Sequence, residues 1–498
     1  MKVPTAIFRV DASPSIGSGH VRRCLVLAEA LAADGWSVAF ACCAGTKEAV
    51  PSLARGRFAY RVVPAEHKGS TPLHDPAADG CDLLVVDHYE LDARFEHACR
   101  SWAKTILVID DLADRPHDCD ILLDQTPGRP ASDYTSLVPG NCTILAGSQF
   151  ALLDPRFRQA REQLGAPADQ IRRVLVSFGG TDPAGATVRA LEALGVAKLR
   201  AAVDVVLGTD NDNMGRIRQL AAELDPPAMV HVSVDDMAGL IASADMAIGA
   251  GGVSALERCC LGMPSIIITI ADNQHKLAAE LALAHAAENL GPLAGLSVRD
   301  IADAVVRAAS DPAWRREMRA AALAIADGLG VARVRAACSP TLLAKDGRPV
   351  QLRLATMDDA GLMLKWQSAP GIRAHSRNPE APETAEHARW MQNKLADPCC
   401  IFHVILHGGR PVGVLRLDRQ ADGAYEISIL VAAEAQDKNI GGAALDLAKR
   451  LLPDAVIRAV IHADNAASIR MFERAGYRRA GEDWMLAPLA PAGSFAPL

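Results

Sequence analysis

Short apolar runs alternate with helical stretches over the first two-thirds of this chain, and that alternation constrains its fold more than any other feature. Segments that switch between β and α periodicity bury their apolar faces best as parallel sheets layered with helices. Residues 6–10, 37–42, 83–87, 105–109 and 143–146 read as strands of a first lobe. Residues 174–177, 202–207, 229–232, 246–248 and 265–268 read as strands of a second, reached through a polar stretch at 154–172. Helices from 298 to about 326 close this unit, and the turn-rich segment 339–349 leads into a further unit of α+β character. The expected organisation is therefore an N-terminal α/β lobe at 1–153 and a second α/β lobe at 154–338. A linker at 339–349, a smaller domain at 350–487 and a disordered Ala/Pro-rich tail at 488–498 follow.

A chain of 498 residues exceeds one ordinary core, in keeping with several domains. Its net charge of −7 includes no basic stripe, which argues against nucleic acid or an anionic membrane as partner. Small-molecule chemistry fits better. The twelve cysteines show no C-x-x-C spacing, so reduced thiols in a cytoplasmic protein and no metal centre are expected. Met1-Lys2-Val3-Pro4 runs directly into a strand, and no apolar run is long enough to span a bilayer.

Two glycine turns stand between a strand and a helix. The first is Arg9-Val10-Asp11-Ala12-Ser13 running into Gly17-Ser18-Gly19-His20, with a helix expected over 21–33, just after the histidine. Backbone N–H groups and the positive end of a helix dipole there suit a pyrophosphate. The second is Gly249-Ala250-Gly251-Gly252-Val253-Ser254-Ala255-Leu256-Glu257, after an apolar strand, followed by Ala271-Asp272-Asn273-Gln274 at the end of the next one. Glu257 offers a carboxylate to a ribose diol. A histidine near its unperturbed pKa of about 6.5 suits a base that activates water, and a nucleoside diphosphate departs readily without a metal or general acid. Asp11 holds the sugar or the loop, or caps the turn, and Asp110-Asp111, Thr181 and Asp182 carry the same alternatives.

These motifs resemble the nucleotide-binding lobes of GT-B sugar-nucleotide enzymes. Taken with Val86-Asp87-His88-Tyr89, Ile109-Asp110-Asp111-Leu112-Ala113 and Gly179-Gly180-Thr181-Asp182, residues 3–329 resemble the UDP-sugar hydrolases of pseudaminic acid biosynthesis. That resemblance implies His20 as the base for water attacking the anomeric carbon with inversion, and Tyr89 as the residue orienting that histidine or the water. The UDP-linked diamino sugar is expected to meet Gly17, Gly19, Arg22, Gly180, Thr181, Gly251, Gly252, Val253, Ser254, Glu257, Asn273 and Gln274. The alternative is a GT-B glycosyltransferase using the same cleft.

The third unit repeats the strand–turn–helix pattern, with Glu426-Ile427-Ser428-Ile429-Leu430-Val431 running into Gln436-Asp437-Lys438-Asn439-Ile440-Gly441-Gly442. With Asn465-Ala466-Ala467-Ser468, Phe472 and Ala475-Gly476-Tyr477, it resembles the GNAT acetyltransferases. The resemblance implies acetyl-CoA, held by Leu430, Val431, Gln436, Lys438, Asn439, Ile440, Gly441, Gly442, Asn465 and Ser468. Two departures stand out: Asn439 occupies a usual glycine position, and Phe472 replaces the tyrosine that protonates the leaving thiolate. Tyr477 as substitute acid, water in its place, or slow transfer are the alternatives, and Glu426 is a candidate base for the acceptor amine, directly or through water, or else a packed or salt-bridged strand residue. A nucleotide-sugar sensor with a degenerate CoA-binding domain is the non-enzymatic alternative.

Overall fold

The computed structural model describes residues 3–13, 17, 19–50, 53, 57–64, 80–180, 182–209, 211–339, 341–373, 380–481 and 483–486. Residues 1–334 and 335–498 form two compact units. The expected tail at 488–498 and Thr181 lie outside the described residues.

The first unit contains two parallel sheets. Its first lobe has strands β1 (Thr5–Val10), β2 (Ser37–Cys42), β3 (Ala59–Val62), β4 (Cys81–Asp87), β5 (Ala103–Ile109), β6 (Ile121–Asp124) and β7 (Thr143–Ala146), in the order β3-β2-β1-β4-β5-β6-β7. The second has β8 (Arg173–Ser177), β9 (Ala202–Leu207), β10 (Met229–Val232), β11 (Met246–Gly249), β12 (Ser265–Thr269) and β13 (Glu288–Pro292), in the order β10-β9-β8-β11-β12-β13. Chain direction across each sheet reverses between β1 and β4 and between β8 and β11. Open α/β sheets form their ligand crevices at such switch points, outside the carboxyl ends of the strands. Both glycine turns, after β1 and after β11, lie there.

Central strands are apolar on both faces because helices cover both: Phe8, Leu84 and Leu107 in one lobe, and Val174, Ile248 and Ile266 in the other, are almost fully buried. The closing helices Pro312–Ile325 and Gly330–Ala337 return to the segment after β7. Ser148 Oγ donates to the Ile325 carbonyl at 2.6 Å, and Arg333 Nη1 donates to the Gln149 carbonyl at 2.6 Å. Any side chain at Gly330 would run into the Ala151 backbone.

The second unit has one mixed sheet of β14 (Val350–Leu354), β15 (Cys400–His407), β16 (Arg410–Arg419), β17 (Tyr425–Val431), β18 (Ile457–Ala459), β19 (Arg478–Ala480) and β20 (Asp483–Leu486). The order is β14-β15-β16-β17-β18-β20-β19, antiparallel except between β17 and β18. That parallel pair is joined only at Tyr425–Ile457 and Glu426–Arg458, after which the two strands part.

The expected fold class, two parallel α/β lobes followed by an α+β unit, is the observed one. In the first unit three strands were not expected. β3 is an exposed edge strand, β6 has only four residues, and β13 carries Gly291-Pro292. β3 and β13 lack a continuous apolar run, and the apolar run of β6 is only Ile121-Leu122-Leu123. The polar stretch at 154–172 contains the helix Pro155–Arg161, started by Pro155 and capped by Asp154, whose side chain accepts from Arg156 N at 2.9 Å. No described helix is long and apolar enough to cross a membrane.

Candidate active site

The helix after β1 spans Gly19–Ala33, so His20 stands inside its first turn and not before it. Gly19, at the first helical position, faces Val253, the first residue of the helix Val253–Cys260 in the other lobe. A Cβ on Gly19 would lie 3.9 Å from Val253 Cγ2. Two helix N-termini thus approach one another across the crevice, each with unsatisfied N–H groups.

His20 is buried and held from behind. Its Nδ1 lies 2.5 Å from Asp87 Oδ1, at the end of β4. Arg23, three residues further along the helix, clamps the same carboxylate through Nε to Oδ2 and Nη2 to Oδ1, both 2.6 Å. Burial raises the Asp87 carboxyl, but the Arg23 guanidinium and His20 outweigh it and hold Asp87 well below the usual range. The carboxylate is therefore ionised, and a lone pair on His20 Nδ1 facing it at 2.5 Å would be repulsive. Nδ1 consequently carries the proton, although Arg23 Nη2 also approaches it at 3.0 Å. Nε2 is left as the basic nitrogen.

Tyr89 meets the His20 ring edge-on, with centroids 4.7 Å apart and planes at 84°. Asn273 Nδ2 of the second lobe donates to Tyr89 Oη at 3.4 Å, which brings both lobes to the dyad. Burial and the Asp111 carboxylate push the Tyr89 phenol up to about 12, so it stays protonated at neutral pH. Asp111 also pairs with Arg23 Nη1 at 3.3 Å.

Asp11 faces its own loop. Its Oδ1 accepts from Cys43 N at 2.6 Å and pairs with Arg9 Nη1 at 2.8 Å, while Oδ2 lies 3.1 Å from His88 Nε2. Glu90 N donates to His88 Nδ1, so His88 Nε2 bears the proton that Asp11 accepts. Burial raises Asp11, and His88, Arg9 and the Cys43 N–H outweigh it, leaving the carboxyl far below its usual range. Asp110 is likewise engaged in the loop after β5, accepting from Ala113 N and Tyr134 Oη at 2.8 Å each. Asp182 accepts from Ala186 N and Thr187 N at the start of the helix Ala186–Ala197. Gly180 sits against the turn after β9, its carbonyl accepting from Gly208 N at 2.9 Å.

In the second lobe, Gly251 is pressed against Ala278, since a Cβ there would stand 3.2 Å from Ala278 Cβ and 3.3 Å from the Gln274 carbonyl. Gln274 Oε1 accepts from Ile270 N at 3.1 Å, which leaves its Nε2 toward Gly252. Arg258, fully buried, props the loop through Nη2 to the Ala250 carbonyl at 2.7 Å and Nη1 to Ser254 Oγ at 3.4 Å. Glu257 is half-buried in this helix. Burial pushes its carboxyl up, while the charges of Arg22, from the first lobe, and Arg258 pull it down. Arg22 itself is exposed near the beginning of the first-lobe helix, one turn from Gly17. Among the described residues no cluster of three or more His, Cys, Asp or Glu is placed to hold a metal ion.

Asp87, Arg23 and Arg258 received no role of their own in the motif reading, and Asp111 was left between holding the ligand or loop and capping the turn. A signal existed for two of them. Arg23 is three residues from His20 and so on the same helix face, and Asp87 is a carboxylate at the buried end of an otherwise apolar strand.

In the second unit Asn439 adopts φ 62°, the left-handed conformation that the turn requires, and begins the helix Ile440–Leu451. A Cβ at Gly442 would lie 2.6 Å from Asn439 Oδ1, and one at Gly441 would collide with Met471 Sδ and lie 3.8 Å from Val431 Cγ2. Gln436 Nε2 donates to the Val431 carbonyl at 3.4 Å and Lys438 Nζ to the Glu434 carbonyl at 3.3 Å. The turn is thus tied to the end of β17, where Leu430 and Val431 lie beyond the last β18 pairing. Asn465 caps the helix Ala466–Arg474, its Oδ1 accepting from Ser468 N at 3.1 Å. Glu426 is half-buried on β17, opposite Asp418 of β16. Tyr477 is sealed in the core against Phe472, ring centroids 4.9 Å apart, with a hydroxyl that has no hydrogen-bond partner among the described residues. Burial, with the Asp446 carboxylate adding to it, pushes that phenol above its usual value.

Residues 364–477 match the Acetyltransferase (GNAT) family. The chain is 28% identical over 221 residues to the UDP-2,4-diacetamido-2,4,6-trideoxy-beta-L-altropyranose hydrolase of Campylobacter jejuni, covering 43% of this chain and 73% of that protein. It is 32% identical over 164 residues to the spore coat polysaccharide biosynthesis protein SpsG of Bacillus subtilis, covering 31% of this chain and 45% of that protein. Among solved structures, MurG of Acinetobacter baumannii aligns over 65% of this chain and 96% of its own length, with 15% identity and a TM-score of 0.46. Both family resemblances read from the motifs are borne out.

Proposed function

We propose that this chain acts twice on one UDP-linked diamino sugar: its second unit acetylates the 4-amino group of UDP-4-amino-4,6-dideoxy-β-L-AltNAc, and its first unit then cleaves the diacetamido product to UDP and free sugar. The observation that carries the hydrolytic half is the Asp87–His20 pair, placed where two helix N-termini converge. In this reading Nε2 of His20 takes a proton from water as the water attacks the anomeric carbon. The electron pair of the C1–O bond leaves with UDP, and attack from the opposite face inverts the anomeric configuration. The N–H groups at Gly19 and at Gly252-Val253-Ser254 stabilise the departing diphosphate. Tyr89 and Asn273 position the sugar or the water, Gln274 faces the glycine loop and Glu257 accepts from the ribose. Gly17, Gly180 and Arg22 line the approach, Thr181 keeps its expected substrate role from the motif alone, and Asp11 keeps the first loop in shape.

The parting of β17 and β18, with a turn whose two glycines tolerate no Cβ without displacement of Asn439 or Met471, fits a narrow cofactor arm. Acetyl-CoA bound there supplies the acyl group as a thioester. Backbone groups of Leu430 and Val431 and the N–H groups from Lys438 to Gly442 would hold it, with Gln436, Asn465 and Ser468 bordering the arm. Glu426 receives the proton of the acceptor amine, and Tyr477 is the phenol nearest Phe472.

Acetylation precedes hydrolysis because a charged amine left in a pocket shaped for an acetamido group is costly to desolvate. The test is to incubate the full chain with acetyl-CoA and the 4-amino sugar nucleotide and to follow products by mass spectrometry. An N-acetylated UDP-sugar should appear first, followed by UDP and diacetamido sugar. An unchanged sugar nucleotide would instead favour a sensor that merely binds these ligands.

A further inference from the structure

Beneath the first-lobe site, at the opposite ends of the strands, two cysteines from neighbouring strands meet. Cys119 precedes β6 and Cys142 precedes β7, and their sulfurs lie 3.6 Å apart. The backbone between them is fixed, for Thr143 N donates to the Asp120 carbonyl at 2.8 Å, and the register continues from Ile121–Thr143 to Asp124–Ala146. All twelve cysteines are free thiols, but Cys119 is buried whereas Cys142 is half-exposed. Cys142 is thus the more accessible of the two.

We infer that Cys119 and Cys142 are a thiol-modification site, a dithiol that a small-molecule disulfide of the glutathione type converts into a protein disulfide. The Cys142 thiolate attacks one sulfur of the reagent, breaking its S–S bond and releasing one thiol. Cys119, losing its proton to that thiolate or to water, then attacks Cys142 Sγ and expels the second thiol. The protein loses two hydrogens and the reagent gains them. Whichever sulfur ionises first accepts from the other, and the deeper burial of Cys119 makes that sulfur Cys142, whose thiolate the Leu122 N–H and the Arg100 charge favour while burial and the Asp120 carboxylate oppose it. Burial, with the Glu96 and Asp120 carboxylates adding to it, raises Cys119.

The position gives the bond a consequence for the site above. The loop it closes has a sequence separation of 23 and contains Asp124, Arg129 and Tyr134. Tyr134 Oη donates to both Asp110 and Asp124, and Arg129 Nη2 donates to the Asp111 carbonyl at 2.8 Å, so this loop carries the turn that presents Asp111 to Arg23. Cross-linking it narrows the conformational range of that floor. The inference does not depend on which reaction the site performs.

The test treats the full chain with oxidised glutathione, blocks remaining thiols, and maps peptides under non-reducing conditions. A peptide pair joined through Cys119 and Cys142 should dominate and disappear with dithiothreitol. Cys119→Ser should trap stable glutathione on Cys142, and Cys142→Ser should leave Cys119 unmodified. Persistent glutathione on Cys142 of the unsubstituted protein, or no change at either residue, would overturn the assignment.

Discussion

The turn after β1 and the turn before the helix Ile440–Leu451 are built alike, a strand, a tight turn and a helix N-terminus, yet they differ in what surrounds the turn. At the first, a titratable ring enters the first helical turn and is locked from behind by Asp87 and Arg23. At the second, the left-handed Asn439 and two close-packed glycines form a cradle, and the neighbouring aromatic groups, Phe472 and Tyr477, are buried. A helix N-terminus by itself confers anion binding. Reaction chemistry requires a proton-transfer group whose orientation is imposed by partners that cannot move.

The sharpest way to break this contrast is His20→Asn. UDP release should fall by roughly 10²–10⁴-fold, the usual contribution of a general base, with acetyl transfer unchanged. Hydrolysis at the parental rate would reduce His20 to a structural residue.

Asp87→Asn tests whether orientation matters as much as the ring. Loss of the fixed Nδ1–H geometry should lower kcat on the order of 10²-fold with little change in UDP affinity. A loss confined to KM would assign Asp87 to binding. The same carboxylate makes the first lobe acid-sensitive. Its folded pKa lies below the unfolded value of about 3.9, so its contribution to stability is complete above that pH and is lost as pH falls toward the folded pKa. Denaturant midpoints measured from pH 6 down to 3 should drop more steeply for the unsubstituted protein than for Asp87→Asn, and parallel slopes would contradict the assignment.

On the binding side, Glu257→Ala should weaken UDP by about 1–3 kcal/mol in calorimetry, the cost of an unpaired buried hydroxyl, while turnover changes less. Equal affinity would remove Glu257 from the nucleotide site. The smallest effect is expected in the second unit. Because the Tyr477 hydroxyl is sealed without a partner, Tyr477→Phe should keep acetyl transfer within about twofold, and removing an unsatisfied buried group should not lower stability. A large fall in kcat would make Tyr477 the acid after all.

Much of this contrast was legible in the sequence. The strand–glycine–helix units around His20, Gly251 and Gly441 are local patterns, because periodicity and turn chemistry act over a few residues. The Asp87–His20 contact spans a sequence separation of 67 and depends on β1 and β4 being neighbours, which no local pattern reveals. The same holds for Asn273, which reaches Tyr89 from the other lobe across a separation of 184. The helix start was placed after His20 because glycine is a poor helix former in isolation, whereas the helix begins at Gly19 itself. Short edge strands such as β3 and β13 gain their order from a neighbour and carry little signal of their own.

The central claim is that the Asp87–His20 pair directs water to an anomeric carbon. It is tested most directly by giving the full chain UDP-2,4-diacetamido-2,4,6-trideoxy-β-L-altropyranose, without acetyl-CoA, in water labelled with heavy oxygen. The account predicts UDP released unlabelled, with the label at C1 of the free sugar and the anomeric configuration inverted when first formed. Label in the phosphate of UDP, or no release at all, would contradict it.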